Sequence, residues 1–136
     1  MNKKILSVLL LMVMALSFVS CANETDVWKN AIHTEDTALG EGAKTVEVEV
    51  KAEDKSVTFT IKTDAETLGD ALLEHKLVEG EQGAYGLYIK KVNGILADYD
   101  VDQHYWSFSK SGTTLMTGAD GEKIFGGEHY EITRAK

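Results

Sequence analysis

Proline is absent from this chain, cysteine occurs once, and no cluster of basic residues is present. Without proline, the turns must come from Gly, Asn and Asp, and twelve glycines are available for them. A lone cysteine excludes an internal disulfide and a cysteine-rich metal site. The 14 Lys and Arg against 22 Asp and Glu give a net charge of −8. An acidic chain without a basic stripe is a poor nucleic-acid binder, because that affinity comes mainly from neutralised phosphates. Anionic lipid headgroups would repel it as well. A long apolar run is also missing. Ile5 to Val19 carries no charge but holds only roughly fifteen residues, short of the ~20 that span a bilayer.

That short run has another use. Lys3 and Lys4 precede it, and Ser20 and Cys21 follow. A basic start, a short apolar core and small residues before a cut describe a secretory signal. Phe18-Val19-Ser20-Cys21 resembles a bacterial lipobox, with Phe18 where leucine is usual. The resemblance implies that the Cys21 thiol is diacylated and becomes the new N-terminus. The protein would then sit on the extracellular face of a cell membrane. Each buried methylene adds ~0.8 kcal/mol, so two acyl chains hold firmly. Removing residues 1–20 takes out Lys3 and Lys4 and no acid, which moves the net charge from −8 to −10. The expected organisation is a signal over 1–20, an acidic tether over 21–43 and one domain over 44–136. Trp28, Ile32 and Leu39 do not suit a plain tether, and their other reading is that they dock on the domain.

From Thr45 the pattern alternates strictly. Val46, Val48 and Val50 oppose Glu47, Glu49 and Lys51, and Val57, Phe59 and Ile61 repeat the pattern across a short polar connection. This is a hairpin with one buried face. Thr67 then starts a short helix, with Thr67 and Asp70 resembling a capping box. Leu68, Ala71, Leu72 and His75 share one stripe of it, and Gly80 is expected to end the segment. Leu87 to Val92 reads as a strand, Asn93-Gly94 as a hairpin turn and Ile95-Leu96 as the return. Tyr105 to Ser109, Leu115 to Thr117 and Tyr130 to Arg134 read as further strands, the last closing the sheet. The fold class is α+β, a β-grasp-like (ubiquitin-like) mixed sheet crossed by one helix.

Few residues form a chemical constellation. Asp98, Asp100 and Asp102 suggest a calcium loop, but the EF-hand places for Gly and Glu hold Gln103 and Ser109. They read as a solvated acidic loop. His33, His75, His104 and His129 have no zinc spacing, and His75 reads as a hydrogen-bonded histidine at the core edge. Ser107, Ser109 and Ser111 lie near His104, without a nucleophile elbow. No metal, cofactor or enzymatic activity is expected. The aromatic group Tyr85, Tyr88, Tyr99, Tyr105, Trp106 and Phe108 is left. Trp106 has two readings, a core residue or an exposed binding edge. Tyr99 and Tyr105, flanking the acidic loop, are the more exposed members.

Four pieces carry a resemblance. They are Thr67-Leu68-Gly69-Asp70-Ala71-Leu72-Leu73, Tyr85-Gly86-Leu87-Tyr88-Ile89 with Val92-Asn93-Gly94, Tyr105-Trp106 with Phe108 and Gly112, and Thr114-Leu115 with Gly118. In order and spacing they resemble the C-terminal domain of the animal cobalamin carriers, transcobalamin and intrinsic factor. They also resemble the related bacterial family DUF4430. The resemblance implies a β-grasp domain that closes over a corrinoid as a lid, with a surface including Tyr88, Lys90, Trp106, Thr114 and Leu115. Tyr99 and Tyr105 extend that surface. His129, in Gly127-Glu128-His129, would belong to the sheet. The carriers hold most of the ligand in a helical domain with no counterpart in this sequence, so a lid alone would bind weakly or need a partner. The expected function is a membrane-anchored, non-enzymatic binding module for a corrinoid or similar small ligand. The alternative is a cell-surface interaction or adhesion domain.

Overall fold

The computed structural model describes residues 26–84 and 86–136. The expected signal, the Cys21 anchor and Tyr85 lie outside the described residues. Among the described residues no helix is long and apolar enough to cross a membrane.

Strands β1 (Thr37–Leu39), β2 (Lys44–Ala52) and β3 (Lys55–Thr63) come first, and β2 and β3 pair antiparallel over their full length. Helix α1 (Leu68–Glu74) follows, then β4 (Val78–Gly83), β5 (Gly86–Val92) and β6 (Ile95–Leu96). A helical turn, α2 (Tyr99–Asp102), leads into β7 (Tyr105–Lys110), β8 (Thr113–Thr114) and β9 (His129–Ala135). The main sheet has the order β1-β3-β2-β9-β7-β8. β9 runs parallel to β2 and antiparallel to β7, so it lies inside the sheet rather than closing its edge. The expected Leu87–Leu96 hairpin is β5-β6, but it forms a second, three-stranded sheet with β4, and neither β4 nor the separation of this sheet was expected.

Period-two alternation sets the faces. Val46, Val48, Val50, Phe59, Ile61, Tyr130 and Ile132 point inward and are at most 1% exposed. They meet Leu68, Ala71 and Leu72 of α1 and Val78, Ile89, Val92 and Ile95 of the small sheet in one core. The opposite face of the main sheet is polar.

Helix α1 begins as its sequence requires, with the Thr67 hydroxyl accepting from the Asp70 N–H at 3.2 Å. Its end differs from the expectation. Lys76 takes the left-handed conformation (φ 56°), its N–H reaches the Leu73 carbonyl, and the Leu77 N–H reaches the Leu72 carbonyl. This is a Schellman closure with lysine where glycine is usual. Gly80 therefore ends nothing. It lies within β4, where a Cβ would run into the Tyr88 carbonyl.

Residues 26–43, expected as an acidic tether, belong to the fold from Asp26 onward. Trp28 is 7% exposed and donates to the Ala52 carbonyl at 2.9 Å. β1 pairs parallel with β3, and half-buried Leu39 packs on the core. Between these points Asn93 clips the segment down. Its side chain accepts from the His33 N–H at 2.9 Å and donates to the His33 carbonyl at 2.8 Å. The Ile32 N–H bonds the Asn93 carbonyl, and the Asn93 N–H bonds Leu77. Asn93 (φ 53°) and Gly94 (φ 80°) form the expected hairpin turn.

Three smaller expectations change. The expected strand over Leu115–Thr117 is instead the two residues of β8, and Leu115 packs on the core. The acidic triplet is not a loop, because Asp98 caps α2 by accepting from the Asp100 N–H. Asp102 accepts from the N–H groups of Asp98 and His104. The expected hydrogen bond of His75 is missing at its buried Nε2, which has no partner among the described residues and stands 4.0 Å from Glu74 Oε2.

Candidate functional site

The register between β4 and β5 slips at one point. Glu79 pairs with Lys91 but Gly80 pairs with Ile89, which leaves Lys90 as a bulge. Such an insertion frees a carbonyl from the ladder and re-aims a side chain. The Lys90 carbonyl accepts from the Ala97 N–H at 2.8 Å and from Trp106 Nε1 at 3.3 Å. The Lys90 ammonium stands 3.5 Å from Glu81 Oε1 and 3.5 Å from Asp98 Oδ2, with the Tyr88 ring centroid at 5.8 Å. Partial desolvation works against its charge, but Asp98 and Glu81 together outweigh that and raise its pKa above the ordinary lysine value. Tyr88 beside this group is 45% exposed, and Tyr99, next to Asp98 in the chain, is 59% exposed.

The sequence-derived surface therefore divides in three. Tyr88 and Lys90 meet at the bulge, and Tyr99 opens α2 directly after Asp98, which the Lys90 ammonium approaches. Tyr105 and Thr114 lie on the polar face of the main sheet, since Tyr105 pairs with Ala135 and Thr114 pairs with Ser109. Trp106 and Leu115 turn to the core, where Trp106 is only 7% exposed. Of its two readings, Trp106 takes the core one, so neither it nor Leu115 offers an exposed binding face. The cause is register: Trp106 pairs with Arg134 and Phe108 with Ile132, on the inner side.

Arg134 locks this arrangement. Its side chain is 7% exposed and donates to the Leu96 carbonyl at 2.9 Å, to Asp102 at 3.0 Å and to Glu53 at 3.2 Å. One side chain thereby joins β9 to β6, α2 and the β2–β3 turn. A fork of donors satisfied on each arm suits such a junction.

On the polar face a chain of groups runs across three strands. His129 Nδ1 lies 3.2 Å from Glu47 and its Nε2 lies 3.6 Å from Glu131. Ser109 donates to Glu131 at 2.6 Å, and the Gly112 N–H adds a further bond. The Ser109 bond is the largest influence on the Glu131 carboxyl. Desolvation opposes it, but Gly112, His129 and Lys51 help hold the group below the usual carboxylate range. The arrangement does not make a nucleophile. Ser109 is bonded to a weakly basic carboxylate, and the imidazole approaches that carboxylate instead of the hydroxyl. Among the described residues no group of three or more His, Cys, Asp or Glu could hold a metal ion.

Two hollows adjoin the small sheet. A groove of about 210 Å³ runs past Gly80, Glu81 and Lys90. Beside it lies a cavity of about 500 Å³ between Ile32, the end of α1 and the row Glu79, Lys91 and Leu96. Sequence reasoning missed both, because Lys76, Lys91 and Ile32 are far apart in the chain and follow no motif.

The comparisons agree with this architecture. Residues 65–129 match the family described as "Domain of unknown function (DUF4430)". The crystal structure of a candidate metal-binding protein from Ruminococcus gnavus ATCC 29149 is 36% identical, with a TM-score of 0.66. The match covers 69% of this chain and 98% of that one. Haptocorrin, solved in complex with Cbi, shares the fold at 20% identity and a TM-score of 0.52, over 72% of this chain and 26% of its own. No curated protein matches the chain. A relative matched over nearly its whole length, together with the family match across the helix and most of the strands, settles the family: the chain belongs to DUF4430.

Proposed function

We propose that this protein is a non-enzymatic binding module, held on the outer face of a cell membrane by an acylated Cys21, that takes a corrinoid or a similar flat ligand. One observation carries the reading: half-exposed Tyr88 stands beside the Lys90 ammonium at the bulge. An aromatic face and a cation offer apolar area with a polar handle, and exposed Tyr99 follows Asp98, the partner of that cation. The fold shared with haptocorrin supports the choice of ligand class. The exposed group is small, so autonomous affinity would be low, and a partner domain would supply the rest of the enclosure.

Trp106 is the natural reporter, because its indole N–H bonds the Lys90 carbonyl directly beneath this group. Cobalamin and cobinamide are titrated into a Trp28→Phe variant while Trp106 fluorescence is followed. Binding gives a saturable change that Tyr88→Ala and Lys90→Ala weaken. No change up to about 1 mM, equivalent to ~4 kcal/mol, ends the autonomous corrinoid reading. Palmitate labelling of cells tests the anchor, with Cys21→Ser abolishing incorporation.

A second reading, a surface interaction domain, is favoured by Met116 (97% exposed) and Phe125 (76%), apolar side chains left in the open on loops. Crosslinking in intact cells separates the readings: a discrete adduct lost in Met116→Ser with Phe125→Ser supports the second.

A further inference from the structure

The N-terminal segment, seated on the Asn93–Gly94 turn, walls a cavity that none of the sequence-predicted ligand residues lines. Gly94 makes this seating possible, because a Cβ there would run into the Asn30 carbonyl. The cavity of about 500 Å³ falls within the ~300–1,000 Å³ range of small-molecule sites. Ile32, Leu77 and Leu96 give it apolar walls, and Lys76, Lys91 and Glu79 give it charge.

The charges do not cancel. Lys91 stands 3.7 Å from Glu79 in a loose, solvent-exposed pair. Lys76 is a second ammonium, so the lining carries one net positive charge in a chain whose overall charge is −8. Lys76 also occupies a backbone conformation (φ 56°) that glycine adopts at lower cost. Retaining a charged side chain at such a position is the kind of local expense that functional sites show. A monoanion matches one net positive charge, whereas a dianion would be left unbalanced against Glu79.

We propose that this cavity is a binding site for a small organic monocarboxylate with an aliphatic body, its carboxylate between Lys76 and Lys91 and its chain against Ile32 and Leu96. The site is distinct from the Lys90 bulge and does not depend on the corrinoid reading.

Octanoate and its uncharged analogue octan-1-ol are the probes, followed by amide shifts in two-dimensional NMR of the purified protein. Octanoate is expected to move the amides of Lys76, Leu77, Gly94 and Leu96 in a saturable way. Octan-1-ol, and octanoate with the Lys76→Gln/Lys91→Gln double variant, are each expected to bind at least about tenfold more weakly. Both lysines are exposed, so the double variant should keep the fold, and unchanged amide shifts elsewhere check that. Equal binding of the two probes, unchanged affinity in the double variant, or shifts centred away from these residues would overturn the assignment. Cobalamin titration does not enter this result, so either reading can fail without the other.

Discussion

The Asn93 clip makes a quantitative prediction. Asn93 is fully buried, and its side chain supplies both hydrogen bonds that hold His33. Asn93→Gly removes those bonds but keeps a residue at ease at φ 53°. Each bond contributes about 0.5–1.5 kcal/mol net, so the loss is about 1–3 kcal/mol. Asn93→Ala adds the left-handed penalty of roughly 1–2 kcal/mol, giving about 2–5 kcal/mol in all. A loss of 1 kcal/mol lowers Tm by about 4–8 °C in a domain near 100 residues, so the glycine variant should melt about 4–24 °C lower and the alanine variant lower still. Urea and thermal unfolding measure this, and amide exchange locates it. The His33 N–H loses its acceptor in both variants and should exchange about tenfold faster or more, while amides in β2 and β9 follow only the global change. Wild-type midpoints in both variants, or a protected His33 amide in Asn93→Gly, would refute the argument that this side chain fastens the segment.

Further outcomes follow from other positions. Lys76→Gly should stabilise the fold by about 0.5–1 kcal/mol, read as a higher urea midpoint, because the Schellman position then holds its preferred residue. Gly80→Ala should cost about 1–3 kcal/mol, since the new methyl meets the Tyr88 carbonyl. Acid sensitivity should depend on Ser109. The Glu131 carboxyl has a lower pKa folded than unfolded, so it adds stability at neutral pH that is lost as pH falls from the usual carboxylate range through the folded value. Urea midpoints of Ser109→Ala from pH 7 to pH 3 should therefore fall less steeply than those of the parent.

Local rules made much of the fold readable. The β2–β3 hairpin follows from strict alternation, the start of α1 from Thr67, and the β5–β6 turn from Asn93-Gly94. Elements decided by distant partners were not readable. β4, with the sequence VEGEQG, is polar and glycine-rich and looks like a loop until β5 pairs with it. Segment 26–33 needs Asn93, sixty positions away, to declare itself structured. The end of α1 was misplaced because lysine occupies the glycine position. For the site, the residue types were legible but their sides were not. Alternation in β7 separated Trp106 from Tyr105 without telling which faced inward. The Lys90 bulge, where the ammonium meets Glu81, Asp98 and the Tyr88 ring, left no mark in the sequence.

The seating of Trp28 also limits how this domain could stand on a cell. The described residues start at Asp26, and five peptide units back to Cys21 reach at most ~18 Å. An acylated cysteine would therefore give the domain only a short reach from the lipid. It would hold the protein close above the lipid, with the Trp28 end nearest the membrane.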